Sequence, residues 1–122
     1  MNTTTRLAIT GLLFLLKLLS GYWLSRSGKP YNVGISTVHK LLSLATVASI
    51  ALTVRYLRQG VGLSGAQIGV LVVTGLLFLT AIGTGGLLSA DKPAPAAISI
   101  IHKVAPYLTV VSTAVTIYLV TR

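Results

Sequence analysis

Residues 68–88 read IGVLVVTGLLFLTAIGTGGLL, an uninterrupted run without a single charge. At 1.5 Å per residue, 21 residues in a helix cover about 30 Å, the thickness of bilayer hydrocarbon. A lone strand there would leave its backbone groups unpaired in lipid, so the run predicts a transmembrane helix. Three further runs have similar length and character: Leu7 to Leu24, Ile35 to Leu57, and Ile98 to Val120. Between them lie Arg26-Ser27-Gly28-Lys29-Pro30-Tyr31-Asn32, Arg58-Gln59-Gly60-Val61-Gly62-Leu63-Ser64-Gly65 and Ala90-Asp91-Lys92-Pro93-Ala94-Pro95, whose Gly and Pro residues end helices. Trp23, Tyr22, Tyr31, Tyr56 and Tyr118 fall near the ends of the runs, as an aromatic belt does. The start of the chain is basic and then apolar, but no small-residue cleavage site follows, so the first run reads as a span and not a signal peptide.

Within the opening stretch, Thr74-Gly75-Leu76-Leu77-Phe78-Leu79 repeats Thr10-Gly11-Leu12-Leu13-Phe14-Leu15 at an offset of 64. Gly85 and Ser89 match Gly21 and Ser25 at that offset. Past the first loop the offset becomes 63. Lys92-Pro93 then matches Lys29-Pro30, and Ile98-Ser99 with His102-Lys103 matches Ile35-Ser36 with His39-Lys40. Thr109, Val110, Ser112, Ala114 and Thr116 match Thr46, Val47, Ser49, Ala51 and Thr53. A shared I-S-x-x-H-K holding the two histidines of the chain is hard to reach by chance. The expected fold is therefore all-α: a four-transmembrane-helix up-down bundle made of two parallel tandem helical-hairpin repeats, about 7–57 and 68–120, in one membrane domain spanning 1–122. Two spans per copy make both copies enter from one side, related by a pseudo-two-fold axis along the membrane normal.

Composition agrees and narrows the chemistry. Of 122 residues, 53% are hydrophobic and 9% charged, against about 25% charged in an ordinary soluble domain. There is no cysteine, which excludes disulfides, thiolate metal sites, iron–sulfur clusters and cysteine nucleophiles. The formal net charge is +9, with Asp91 the one acid. In a soluble protein such a balance would suggest nucleic acid. Here the bases flank apolar runs, where they meet anionic headgroups, so the expected partner is the lipid bilayer and no nucleic acid. No Ser/His/Asp set, paired carboxylates or phosphate loop is present, so stand-alone catalysis is not expected.

His39 and His102 are equivalent under the repeat and sit at one depth on diagonal helices. Adjacent helices pack about 8–10 Å apart, so a square bundle puts them about 11–14 Å apart on the diagonal. Two imidazoles do not meet across that gap, but each can reach a central metal held in a planar ligand. A bare zinc or copper ion wants more nitrogen or sulfur ligands than this chain offers. A porphyrin supplies four equatorial nitrogens and asks the protein for two axial ones. The expectation is one haem b, with His39 and His102 as metal ligands. Gly21 and Gly85 lie at the depth of the histidines on the helices that lack them, where a macrocycle edge would approach the backbone; a plain small-residue helix interface is the other reading. Candidate acceptors for the second ring nitrogens are the carbonyls of Ile35 and Ile98 and the hydroxyls of Ser36, Ser43 and Ser99. Lys29 and Lys92 are candidates for the anionic propionates, with headgroup contact as the alternative. Lys17, deep in the first run and on the face of Gly21, either serves the cofactor or snorkels to the headgroups. Pro106 predicts a bend in the fourth helix just past His102.

In layout and in this histidine pair, the chain resembles the small four-helix transmembrane b-type cytochromes that act as anchor or electron-transfer subunits. The resemblance implies a quinone or a redox partner protein at the other end of the electron path. Many such cytochromes carry four histidines and two haems; two histidines here imply one. The expected location is the prokaryotic cytoplasmic (inner) membrane. Two other functions compete: a small four-helix transporter or channel, and a cofactor-free structural or assembly subunit. The absence of any acid inside a predicted helix counts against proton-coupled cation export. The orientation stays open, because Arg6, Arg55, Arg58 and Arg122 on one side balance Arg26, Lys29, Lys40, Lys92 and Lys103 on the other.

Overall fold

A computed structural model describes residues 1–90 and 92–122. The one acidic residue, Asp91, lies outside the described residues. Four α-helices are present: α1 (Thr3–Ser27), α2 (Val33–Leu57), α3 (Gly65–Ser89) and α4 (Ala96–Val120). Each has 25 residues, and all four are long and apolar enough to cross a membrane. No strand occurs among the described residues. The chain divides into two compact units, Met1–Tyr56 and Leu57–Arg122.

The helices start earlier than the apolar runs, and the caps explain why. The Asn2 carboxamide accepts from the Thr5 N–H at 2.8 Å, so α1 begins at Thr3 and not at Leu7. Asn32 does the same for Ile35 at 3.0 Å and lengthens α2. Ser64 and Gln67 form a reciprocal capping box that starts α3. Gln67 is buried, and its Nε2 also donates to the Leu119 carbonyl at 2.9 Å, tying the start of α3 to the end of α4. At the other end of α1, Gly28 takes φ +70 and its N–H closes on the Leu24 carbonyl. Arg26 and Ser27, expected in the loop, belong to the last turn of α1.

In the first unit, the face of α1 carrying Thr10 and Phe14 meets α2, and the Thr10 and Ser49 hydroxyls lie 2.6 Å apart. In the second, Thr74 of α3 lies 3.1 Å from Thr116 of α4 and also bonds Ser112. Thr46 and Thr53 and their repeat counterparts Thr109 and Thr116 are almost wholly buried, none more than 1% exposed. Each donates its hydroxyl proton to a carbonyl three or four residues back in its own helix, which removes the cost of burying it. The outward faces are apolar: Leu12, Leu15, Leu19, Leu76 and Leu79 are all more than half exposed. α4 runs unbroken in its helical assignment through Pro106.

Candidate functional site

His39 is the seventh residue of α2, and its ring reaches across to α1. Its Nδ1 lies 2.9 Å from the Ser20 hydroxyl and 3.1 Å from the Lys17 carbonyl. The proton of the Ser20 hydroxyl is itself committed to the Lys17 carbonyl at 2.9 Å. The hydroxyl therefore accepts at Nδ1, and the carbonyl can do nothing else. A ring that donates from Nδ1 to these two groups and is otherwise unprotonated keeps its lone pair on Nε2.

The second hairpin repeats the arrangement with a different residue. His102, the seventh residue of α4, has its Nδ1 3.0 Å from the Thr84 hydroxyl. Thr84 donates to the Thr80 carbonyl at 2.7 Å, with the Ala81 carbonyl at 3.2 Å, so its hydroxyl too is an acceptor toward the ring. In His102 too, an Nδ1–H directed at that hydroxyl would leave the lone pair on Nε2. Both rings are partly exposed.

The glycines expected beside the histidines are there, in a more direct role than a macrocycle edge requires. A Cβ on Gly21 would stand 2.9 Å from His39 Cε1, and a Cβ on Gly85 would stand 2.9 Å from His102 Cε1. What the missing side chain admits is the imidazole itself, laid against the backbone of the neighbouring helix. That position also brings each Nδ1 to groups on the neighbouring helix that were not among the acceptors anticipated from sequence. Ile35, Ile98, Ser36 and Ser99 lie on the histidines' own helices, whereas Nδ1 is turned to the partner helix. Ser43 donates back to the His39 carbonyl at 2.9 Å instead. The signal for the true acceptors was available: Ser20 and Thr84 immediately precede the two glycines and are related by the offset of 64.

Lys17 is 3% exposed, with its ammonium 5.1 Å from the centre of the Phe14 ring. The side chain is therefore enclosed within the protein and does not lie along the outer surface, as a snorkelling lysine would. Its counterpart at the offset of 64 is the buried Ala81, so the two hairpins differ by a charge one turn from otherwise matched glycines. Lys29 and Lys92 are exposed in their loops, with Lys29 5.8 Å over the Tyr31 ring. Thus the first hairpin brings together His39, Gly21 and Lys17, and the second brings together His102 and Gly85. Among the described residues no group of three or more His, Cys, Asp or Glu gathers. Any ligand set built on these histidines has to be completed by the group they hold.

Compared with protein-family models, curated proteins and solved structures, the chain matches none.

Proposed function

We propose that this chain is an integral membrane b-type cytochrome that carries one haem with His39 and His102 as its axial ligands and passes electrons. One observation carries the reading. In both hairpins the histidine Nδ1 lies within hydrogen-bond reach of a hydroxyl on the neighbouring helix, and a ring that donates there keeps the lone pair of Nε2 for a metal. Metal-bound histidines are commonly held in this way, with the outer nitrogen donating to a fixed acceptor that sets ring orientation and raises ligand basicity. The matched glycine cradles and the repeated hydroxyl contacts also support the reading of the chain as two parallel tandem hairpins.

The residues fit the group in number and kind: two imidazoles for two axial positions, with no cysteine in the chain to compete for them. Bound there, a haem would supply one-electron chemistry to a quinone or a redox partner protein. The chain's own contribution is to orient the imidazoles and surround the anionic propionates with base. Lys17, Lys29 and Lys92 are the residues for that last role. Lys17 is buried in a segment without any carboxylate; the two loop lysines are exposed and more strongly screened.

A second reading is favoured by the same contacts. A histidine laid on glycine and bonded to the next helix also fastens a hairpin, so the pair could serve a cofactor-free structural subunit. Pyridine-haemochrome titration of protein purified from haem-sufficient cells separates the two. The cytochrome reading expects about one haem per chain, with a Soret band and split α and β bands on reduction. A colourless protein whose stability falls in His39→Ala and His102→Ala would replace it with the fastening role.

A further inference from the structure

At the end of the first hairpin away from His39, a groove of about 290 Å³ opens between the start of α1 and the second half of α2. Ile9, Ala45, Ala48 and Leu52 form its apolar walls, and Ser49 and Thr53 its floor. The spacing 45, 48, 49, 52 is one helical face, and small residues at its first three positions make the hollow. Ile9, Ala45, Ala48 and Leu52 are all exposed, so the groove faces outward.

Arg6 stands at its rim. The guanidinium is stacked 4.3 Å from the centre of the Tyr56 ring, and its Nε has no hydrogen-bond acceptor. Nothing in residues 1–56 carries a negative charge. The two hydroxyls beside it are occupied with each other and with the backbone: Thr10 donates to the Arg6 carbonyl and lies 2.6 Å from the Ser49 hydroxyl. Arg6 is thus the polar recognition element of an otherwise apolar hollow, and it suits an anion.

The second hairpin supplies an internal comparison. At the offset of 63, Ala45 and Ala48 become Leu108 and Val111; at 64, Arg6 and Ile9 become Val70 and Val73. The same helix pair, given larger side chains and no cation, has no reason to keep either the hollow or the charge. The small residues and the cation therefore occur together in one hairpin, and larger apolar residues replace both in the other.

We propose that this groove is a specific site for an anionic phospholipid, with an acyl chain along Ala45, Ala48 and Leu52 and the phosphate at Arg6. It rests on α1 and α2 spanning a membrane, and is independent of haem. The test uses the full chain in phosphatidylcholine nanodiscs doped with phosphatidylglycerol. After transfer to detergent, native mass spectrometry reads the lipid retained and the oligomeric state. Wild type should retain phosphatidylglycerol about fivefold over its share of the bilayer, the preference expected of one basic residue near an anionic headgroup. Arg6→Gln should abolish that preference. Ala45→Leu with Ala48→Val, which copies the second hairpin, should remove the bound lipid while circular dichroism stays helical. Retention in proportion to the bilayer in wild type, or a preference that survives Arg6→Gln, overturns the proposal. So does a filled-groove variant that keeps the lipid, or one that loses only a dimer, since a second copy would then be the occupant. Should the filled-groove variant not fold, the Arg6→Gln comparison decides alone.

Discussion

Adding one methyl group at Gly21 or Gly85 is the sharpest structural perturbation of the proposed ligands. The new Cβ would sit 2.9 Å from the Cε1 of its histidine, where ordinary contact begins at 3.4 Å, so the ring must retreat by 3.4 − 2.9 = 0.5 Å or more. His39 Nδ1 starts at 2.9 and 3.1 Å from its acceptors and His102 Nδ1 at 3.0 Å. The same displacement stretches those bonds toward the limit of useful geometry. Overpacking of this kind costs about 1–3 kcal/mol, and a weakened hydrogen bond adds about 1 kcal/mol. Metal ligands tolerate about 0.5 Å of misplacement before function suffers. Even 1.4 kcal/mol is a factor of about ten in affinity. Gly21→Ala and Gly85→Ala should therefore each weaken haem binding at least about tenfold. Titration of haem into cofactor-free protein in detergent, followed at the Soret band, measures it. Gly11→Ala and Gly75→Ala are the matched controls, because a Cβ at either meets nothing within 4 Å. Wild-type affinity in both cradle variants would show that the glycines do not set the ligand position, and would refute the reasoning.

Removing the acceptors should act on the histidines without touching them. Ser20→Ala and Thr84→Val should each lower haem affinity about 10- to 100-fold, and nitrogen NMR of the cofactor-free protein should show the Nε2–H tautomer gaining population; an unchanged tautomer would dismiss their positioning role. Lys17→Ala, which gives the first hairpin the residue of the second, should lower the haem midpoint potential. A nearby positive charge favours the reduced iron, so its removal favours the oxidised form. Lys29→Gln with Lys92→Gln should lower it less, because exposed charges are screened. A redox titration in which the loop pair outweighs Lys17 would place the propionates toward the loops.

The four helices were legible because each is a long apolar run with the length and character of a membrane span, and residues 68–88 hold no charge at all. Their ends were less so: hydropathy is blind to Asn2, Asn32 and Ser64, whose side chains start α1, α2 and α3 ahead of the apolar runs, while α4 starts without a side-chain cap. The histidines stood out by scarcity and by the repeat, and Gly21 and Gly85 by their register with them. Ser20 and Thr84 were passed over because hydroxyls are ordinary helix-packing residues in apolar segments. Only the side-chain geometry shows that their protons are spent elsewhere and that they must accept. Lys17 could be read from sequence as snorkelling outward or turned inward, since a long side chain permits both. Its burial settles the direction and not the purpose. The groove at Arg6 was invisible in the apolar pattern, because Ala45 and Ala48 count as apolar just as Leu108 and Val111 do and the pattern carries no side-chain size.

The central claim is that His39 and His102 bind one and the same iron. Electron paramagnetic resonance of the oxidised protein tests it, on wild type and on His39→Ala and His102→Ala supplied with external imidazole. The account predicts a single low-spin bis-imidazole signal in wild type. Each single variant should give a high-spin, five-coordinate signal that returns to low-spin when imidazole is added. A wild-type protein without haem, or a low-spin signal that survives either substitution before imidazole is added, would contradict it.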